Sequence, residues 1–176
     1  DTPTSVSLDV IGVVRSPYKE RFGTPRQAVV TQQTLHGTAQ PAYIELCGDV
    51  DRMSLALRGL DQFEYCWVVS FMHLNTGWNP LIRPPRGPRR KQGVFATRSP
   101  HRPNPLSLSA LRITAVDEKA RRVHVLGIDL LDGTPVLDIK PYVPYSDAFP
   151  AAAAGWLDEL DMAMDGPDRL DYSPPP

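Results

Sequence analysis

Two stretches of this chain hold the residues best suited to chemistry. In GVFATRSPHRPNPLSLS, residues 93–109, prolines at 100, 103 and 105 bracket Arg98, Arg102 and Asn104. Proline fixes φ and carries no N–H, so such a segment is pre-set, with little entropy left to lose on binding. A guanidinium and an amide held this way suit an anionic ligand, and the same bracketing also makes a stiff surface turn. In GIDLLDGTPVLDIKPY, residues 127–142, Asp129, Asp132 and Asp138 alternate with apolar residues. A carboxylate facing a cavity accepts hydrogen bonds from a ribose or an amine. Asp132-Gly133 also reads as a tight turn, and Asp138 and Lys140, two apart on a strand, also read as a same-face pair.

Familiar catalytic signatures are missing. The chain has no GxGxxG after a strand, no Walker loop, no HExxH and no GxSxG, so phosphoryl transfer and zinc or serine hydrolysis find no motif. His36, His73, His101 and His124 never pair at i, i+4, and no metal site is expected. His73 stands out because it closes a long apolar run where a barrel rim would begin. Cys47 and Cys66 lie in apolar contexts without a CxxC partner, which predicts two buried, inert thiols in a reducing compartment, the cytoplasm.

Charge is unevenly spread. Net charge is −1, yet Arg83, Arg86, Arg89, Arg90, Lys91, Arg98 and Arg102 follow one another with no acidic residue between them. Held on a frame of prolines, such a loop presents a positive potential to a polyanion; as a plain linker it only aids solubility. Past residue 150, six carboxylates face a single arginine.

The elements that must position these groups read mostly as β-structure. Alternation and β-branching predict strands over 6–15, 28–31, 42–46, 63–73, 93–98, 106–116, 122–131 and 134–142, with a helical turn over 53–60 ended near Gly59. With 176 residues the chain fits one domain, able to bury a core without metal or disulfides. Short strands between Gly and Pro turns favour a single-sheet antiparallel β-barrel over 6–147. Trp156, Leu157, Leu160 and Met164 predict a short C-terminal helix within an acidic, partly disordered tail over 148–176. No apolar run approaches the ~20 residues that span a bilayer, and the start at Asp1 fits a processed or trimmed terminus. No membrane association is expected.

The chain resembles the TrmO family, also called TsaA-like, of tRNA methyltransferases acting on N6-threonylcarbamoyladenosine. The resemblance rests on IGVVRSPYKERFGTPRQ (11–27), RGLDQF with the aromatic run ending at His73, RPPR (83–86), GVFATRSPHRPNPLSLSALRI (93–113) and LLDGTPVLDIKPYVPYSD (130–147). It implies a homodimeric β-barrel that takes S-adenosylmethionine as methyl donor and tRNA as substrate. It places the donor site at Arg26, Gln27 and Ala28, at His73 and Leu74, at Arg98, at Leu108, and at Asp129 with Leu130.

In that frame Asp129 suits the ribose or amino group and Arg98 the carboxylate. Asp138 and Tyr142 are candidate bases or orienters, and Lys140 a candidate for stabilising negative charge on N6; a structural role for each stays open. Arg83, Arg86, Arg89, Arg90 and Lys91 are expected on phosphates. Longer family members continue past the KPY segment, where this chain has its acidic tail. A methyltransferase for a small metabolite and a non-enzymatic RNA-binding barrel are the alternatives.

Overall fold

The computed structural model describes residues 2–20, 41–84 and 90–161. Eight strands are found among them: β1 (Gly12–Arg15), β2 (Ala42–Leu46), β3 (Tyr65–Phe71), β4 (Leu81–Ile82), β5 (Gln92–Gly93), β6 (Leu106–Asp117), β7 (Arg122–Leu126) and β8 (Pro135–Pro141). Six of these close an antiparallel barrel in the order β1-β2-β7-β6-β3-β8, with β8 returning to β1, while β4 and β5 form a separate ribbon. Closure leaves no long unpaired edge, as the short-strand pattern predicts.

Alternation along each strand decides what faces inward. Val14, Ile44, Cys66, Val68, Leu111, Val123, Val125 and Val136 point into the barrel and are fully buried. Their β-branched bulk fits the pleat and fills the narrow interior. At Gly12 the pairing is too close for any side chain, since a Cβ there would lie 2.8 Å from the Glu45 carbonyl oxygen. Helix α1 (Val50–Ala56) starts at Asp49, whose Oδ1 accepts from the Arg52 N–H at 2.8 Å. Leu57 follows and is buried, with Met53 and Leu60 packed on the core.

Four expectations need correction. The first strand starts at Gly12, not at residue 6, and Val6, Leu8 and Val10 are exposed. Its partner β8 is bulged, with Val69 opposite Asp138 but Ser70 opposite Val136. The β1–β8 ladder begins at Gly12 opposite Val136, and the chain before Ile11 forms no strand. The strand expected over 93–98 is only the end of β5 followed by a 3-10 turn (Val94–Ala96). β7 stops at Leu126, where Gly127 turns the chain at φ 82. Cys47 is exposed, its thiol donating to the Val10 carbonyl at 3.2 Å, whereas Cys66 is buried and its thiol is pushed up to about 12 by desolvation. The strand expected over 28–31 lies outside the described residues.

Downstream, α2 (Pro144–Asp147) is tied to the barrel by the Trp67 indole, which donates to Asp147 Oδ2 at 2.8 Å. A 3-10 turn (Gly155–Leu157) leads into α3 (Asp158–Asp161). The expected helix is therefore present to Asp161, and Met164 lies outside the described residues.

Candidate functional site

At one end of the barrel β3 finishes while β6 and β8 begin, and the interior changes there from valine to hydroxyl. Ser70 and Ser109 are buried, and Ser107 stands opposite Ser70. The Ser70 and Ser107 hydroxyls share a short hydrogen bond. Ser109 Oγ donates to Asp129 Oδ1 at 2.8 Å, so the carboxylate is aimed by a side chain of the barrel wall. These serines were not singled out from the sequence, although LSLS at 106–109 puts two hydroxyls on one face of a strand.

Asp129 lies in the loop between β7 and β8, which is anchored at several points. Ile128 and Leu130 are buried in the core. Ser16 Oγ donates to the Leu130 carbonyl at 2.9 Å, and the Ser16 N–H donates to Asp132 Oδ1 at 3.0 Å. Lys19 Nζ meets Asp132 Oδ2 at 2.7 Å. The Lys19 ammonium holds the Asp132 carboxyl below its usual range, with the Ser16 N–H adding to the effect and burial opposing it. The Gly133 N–H completes the clasp by donating to the Val14 carbonyl at 2.8 Å. Asp132 is thus the residue that fastens the loop, as the turn reading anticipates.

Across the mouth, the connection from β3 to β6 carries the other expected groups. The Met72 N–H donates to the Pro105 carbonyl at 2.8 Å, which brings His73 and Leu74 beside the start of β6. Both are exposed. Leu108 is opposite Val69 on the outer face, where Phe71 and Leu106 are also partly exposed. The ribbon of β4 and β5 delivers the chain to the 3-10 turn, where the Val94 N–H donates to the Pro80 carbonyl at 2.9 Å.

Arg98 follows that turn, exposed and without an ion-pair partner among the described residues. Arg102 is differently employed. Its Nη1 donates to the Thr97 carbonyl at 2.7 Å and the Val94 carbonyl at 3.1 Å, while the guanidinium lies 5.8 Å from the Phe95 ring centroid. Side-chain bonds to these carbonyls replace ladder bonds, which is why the strand expected over 93–98 stops. Of the two arginines, only Arg98 is left to face a ligand.

Structure separates the remaining candidates from this set. Lys140 Nζ binds Asp138 Oδ2 at 2.6 Å on the outer face, the same-face pair. Tyr142 packs its ring against Trp67 at 5.4 Å and Tyr65 at 6.2 Å. Its N–H donates to the Tyr65 carbonyl, at the start of β3. Asp138 is the nearer of these candidates, opposite Val69, which also faces Leu108. From the end of β3 that leads to His73 and Leu74, Tyr142 lies roughly 20 Å off at ~3.3 Å per residue, at the far end. At that far end a cavity of about 460 Å³ lies between α1 and the β1–β8 seam, lined by Leu46, Met53, Leu57, Leu60, Phe63 and Ile139, with Asp138 at its edge. Among the described residues, none of those expected at the donor site lines it.

Arg83 and Lys91 are exposed, and Arg90 pairs with Glu159. Arg26, Gln27, Ala28, Arg86 and Arg89 lie outside the described residues.

Comparison with known proteins gives the family of this barrel. Residues 13–148 match the model of the tRNA-methyltransferase O N-terminal domain. The tRNA (adenine(37)-N6)-methyltransferase of Escherichia coli is 39% identical over 165 residues, covering 91% of this chain and 67% of that protein. A probable S-adenosyl-L-methionine-binding protein of Pyrococcus abyssi is 33% identical, covering 93% of this chain and 84% of its own length. Among solved structures, TrmO from Pseudomonas aeruginosa superposes with a TM-score of 0.67 at 38% identity, over 86% of this chain and 62% of that one. The chain thus spans about two thirds of the length of its bacterial relatives.

Proposed function

The chain belongs to the tRNA-methyltransferase O family, and we propose that it transfers a methyl group from S-adenosylmethionine to N6 of adenosine 37 in tRNA, in its threonylcarbamoyl form. The observation that carries this reading is the Asp129 carboxylate fixed by Ser109 at the barrel mouth. The exposed Arg98 on the facing connection supports it.

The donor set fits the chemistry of such a nucleotide. Asp129 accepts from hydroxyls or an ammonium, Arg98 pairs with a carboxylate, and His73 and Leu74 offer backbone groups and an apolar wall for a purine. Leu108, the backbone at Leu130, and Arg26, Gln27 and Ala28 complete the proposed set. When bound, S-adenosylmethionine supplies an electrophilic methyl group on a sulfonium. What remains for the protein is to hold the acceptor nitrogen in line at near-attack distance, about 3–3.5 Å, and to keep water out. N6 of a urea is a poor nucleophile, so as the N–C bond forms and the S–C bond breaks its proton must leave to a base or to solvent. The stacked Tyr142 ring stands at the far end of β3 and Asp138 is bonded to Lys140 on the outer face, and the reading gives all three a structural role.

Arg83, Arg90 and Lys91, with Arg86 and Arg89, would contact the RNA backbone. Phe71, Leu106 and Leu108 leave apolar surface around the mouth, which supports a homodimer covering that surface. No helix among the described residues is long and apolar enough to cross a membrane, and the cytoplasm, where tRNA is modified, is the proposed location.

The test is methyl transfer in vitro. Purified chain, S-adenosylmethionine and unmethylated tRNA are combined, and the digested nucleosides are read by mass spectrometry. A new N6-methylated threonylcarbamoyladenosine is expected. Methylation of a small metabolite with none of the tRNA, or donor-free RNA binding alone, would replace the proposal.

A further inference from the structure

The turn that presents Arg98 is held from both sides by donors that lie outside it. From one side Arg102 takes the carbonyls of Val94 and Thr97. From the other, Trp156 Nε1 donates to the Ala96 carbonyl at 2.8 Å, across 60 residues of chain. Ala96 is two residues before Arg98, so the two braces bracket the backbone from which the guanidinium projects.

Trp156 is itself carefully placed. Gly155 turns the chain at φ 63, a conformation that residues with a side chain rarely adopt. Asp158 Oδ2 accepts from the Ala154 N–H at 2.9 Å and closes that turn from the other side. Glu159 then pairs with Arg90, just ahead of β5. The segment is therefore fixed at two points on the same excursion, one by its indole and one by its carboxylate.

We infer that Trp156 is a positioning residue for the donor site: through the Ala96 carbonyl it holds the turn in the conformation that aims Arg98 at the carboxylate of S-adenosylmethionine. The inference rests on the donor-site reading above. Without the indole N–H, the Ala96 carbonyl turns to water and the turn samples other orientations. Binding must then select the competent one, and the apparent dissociation constant rises in inverse proportion to the fraction that stays competent. The acidic tail becomes a working part of the donor site, attached by one aromatic residue.

Trp156→Phe tests this in the full chain, because it keeps a ring and removes only the N–H. Titration calorimetry with S-adenosylmethionine is expected to show a dissociation constant raised about three- to tenfold. The melting temperature of the ligand-free protein and the KM for tRNA are expected to stay as they were, which separates positioning from a general loss of stability. Glu159→Gln, which keeps the indole and frees the other anchor, is expected to weaken donor binding less. A donor dissociation constant within twofold of the unaltered chain in Trp156→Phe overturns the inference, as does a fall in melting temperature with donor and tRNA parameters worsening together. Arg98→Ala is the control: if it leaves donor affinity intact, the donor-site reading itself has failed, whatever Trp156→Phe does.

Discussion

Ser109 and Asp129 are joined by a hydrogen bond of 2.8 Å between a strand of the barrel wall and the loop that follows the next strand. The bond converts a mobile loop carboxylate into one whose orientation is set by the barrel, because Ser109 is buried opposite Val68. Ser109→Ala removes the orienting hydroxyl and leaves the charge. Affinity for S-adenosylmethionine is expected to drop about fivefold, the equivalent of roughly 1 kcal/mol, by calorimetry. Asp129→Asn removes the charge as well and is expected to cost at least ten times more affinity than Ser109→Ala. Equal effects from the two would show that the hydroxyl has no separate part.

Arg102 should be sensitive even to a conservative change. Lysine keeps the charge but lacks the planar guanidinium, whose Nη1 meets both carbonyls while the group lies over the Phe95 ring. Arg102→Lys and Arg102→Ala are both expected to raise amide exchange over residues 94–99 and to weaken donor binding, alanine the more. Unchanged exchange in that turn would mean the Val94 and Thr97 contacts do not hold it.

Acid should loosen the clasp between the two ends of the β1–β8 region. The folded-state pKa of Asp132 lies below its unfolded value, chiefly because Lys19 donates to it. Its contribution is therefore complete above the unfolded value of about 3.9 and is lost as pH falls through the folded one. Asp132→Asn is expected to lower the urea midpoint near neutral pH, and the gap to the unaltered chain is expected to narrow below about pH 4. A gap that is constant down to about pH 2 would contradict the ion pair.

Two charges in the basic region should act in opposite directions on RNA. Lys91→Ala is expected to weaken tRNA binding and to flatten its dependence on log salt by roughly 0.7–0.9. Glu159→Gln releases Arg90 from its ion pair and is expected to tighten binding and steepen the slope. Fluorescence anisotropy across a salt series reads both, and identical slopes in all three proteins would move the RNA surface elsewhere.

Much of the barrel was legible in the sequence because its strands are specified locally. Residues 42–46 read as a strand and form β2 with those bounds, since Ala42, Ile44 and Leu46 alternate with Tyr43 and Glu45. The long aromatic run and the segment from 106 behave alike, as β3 and β6. Where reading failed, a distant partner decided the outcome. Val6, Leu8 and Val10 alternate like a strand, but they pair with no strand and stay exposed. GVFATR reads as a strand until a guanidinium beyond it claims the carbonyls of Val94 and Thr97. Asp129 was legible as a candidate because a carboxylate is conspicuous, whereas the serine that aims it was not, because a strand serine has no signature until its partner is known. The Asp138–Lys140 spacing read as a same-face pair, and the structure has the two side chains in contact at 2.6 Å.

The barrel is closed by its shortest ladder: β1 pairs with β8 at Gly12 opposite Val136 and Val13 opposite Pro135, with backbone bonds from Ile11 to Val136 and from Val14 to Thr134 beside them. A cylinder joined by so few rungs breathes first along that join, and proline there contributes no amide to it. Because the Asp132 clasp lies just beyond the same join, a transient gap loosens the loop that carries Asp129.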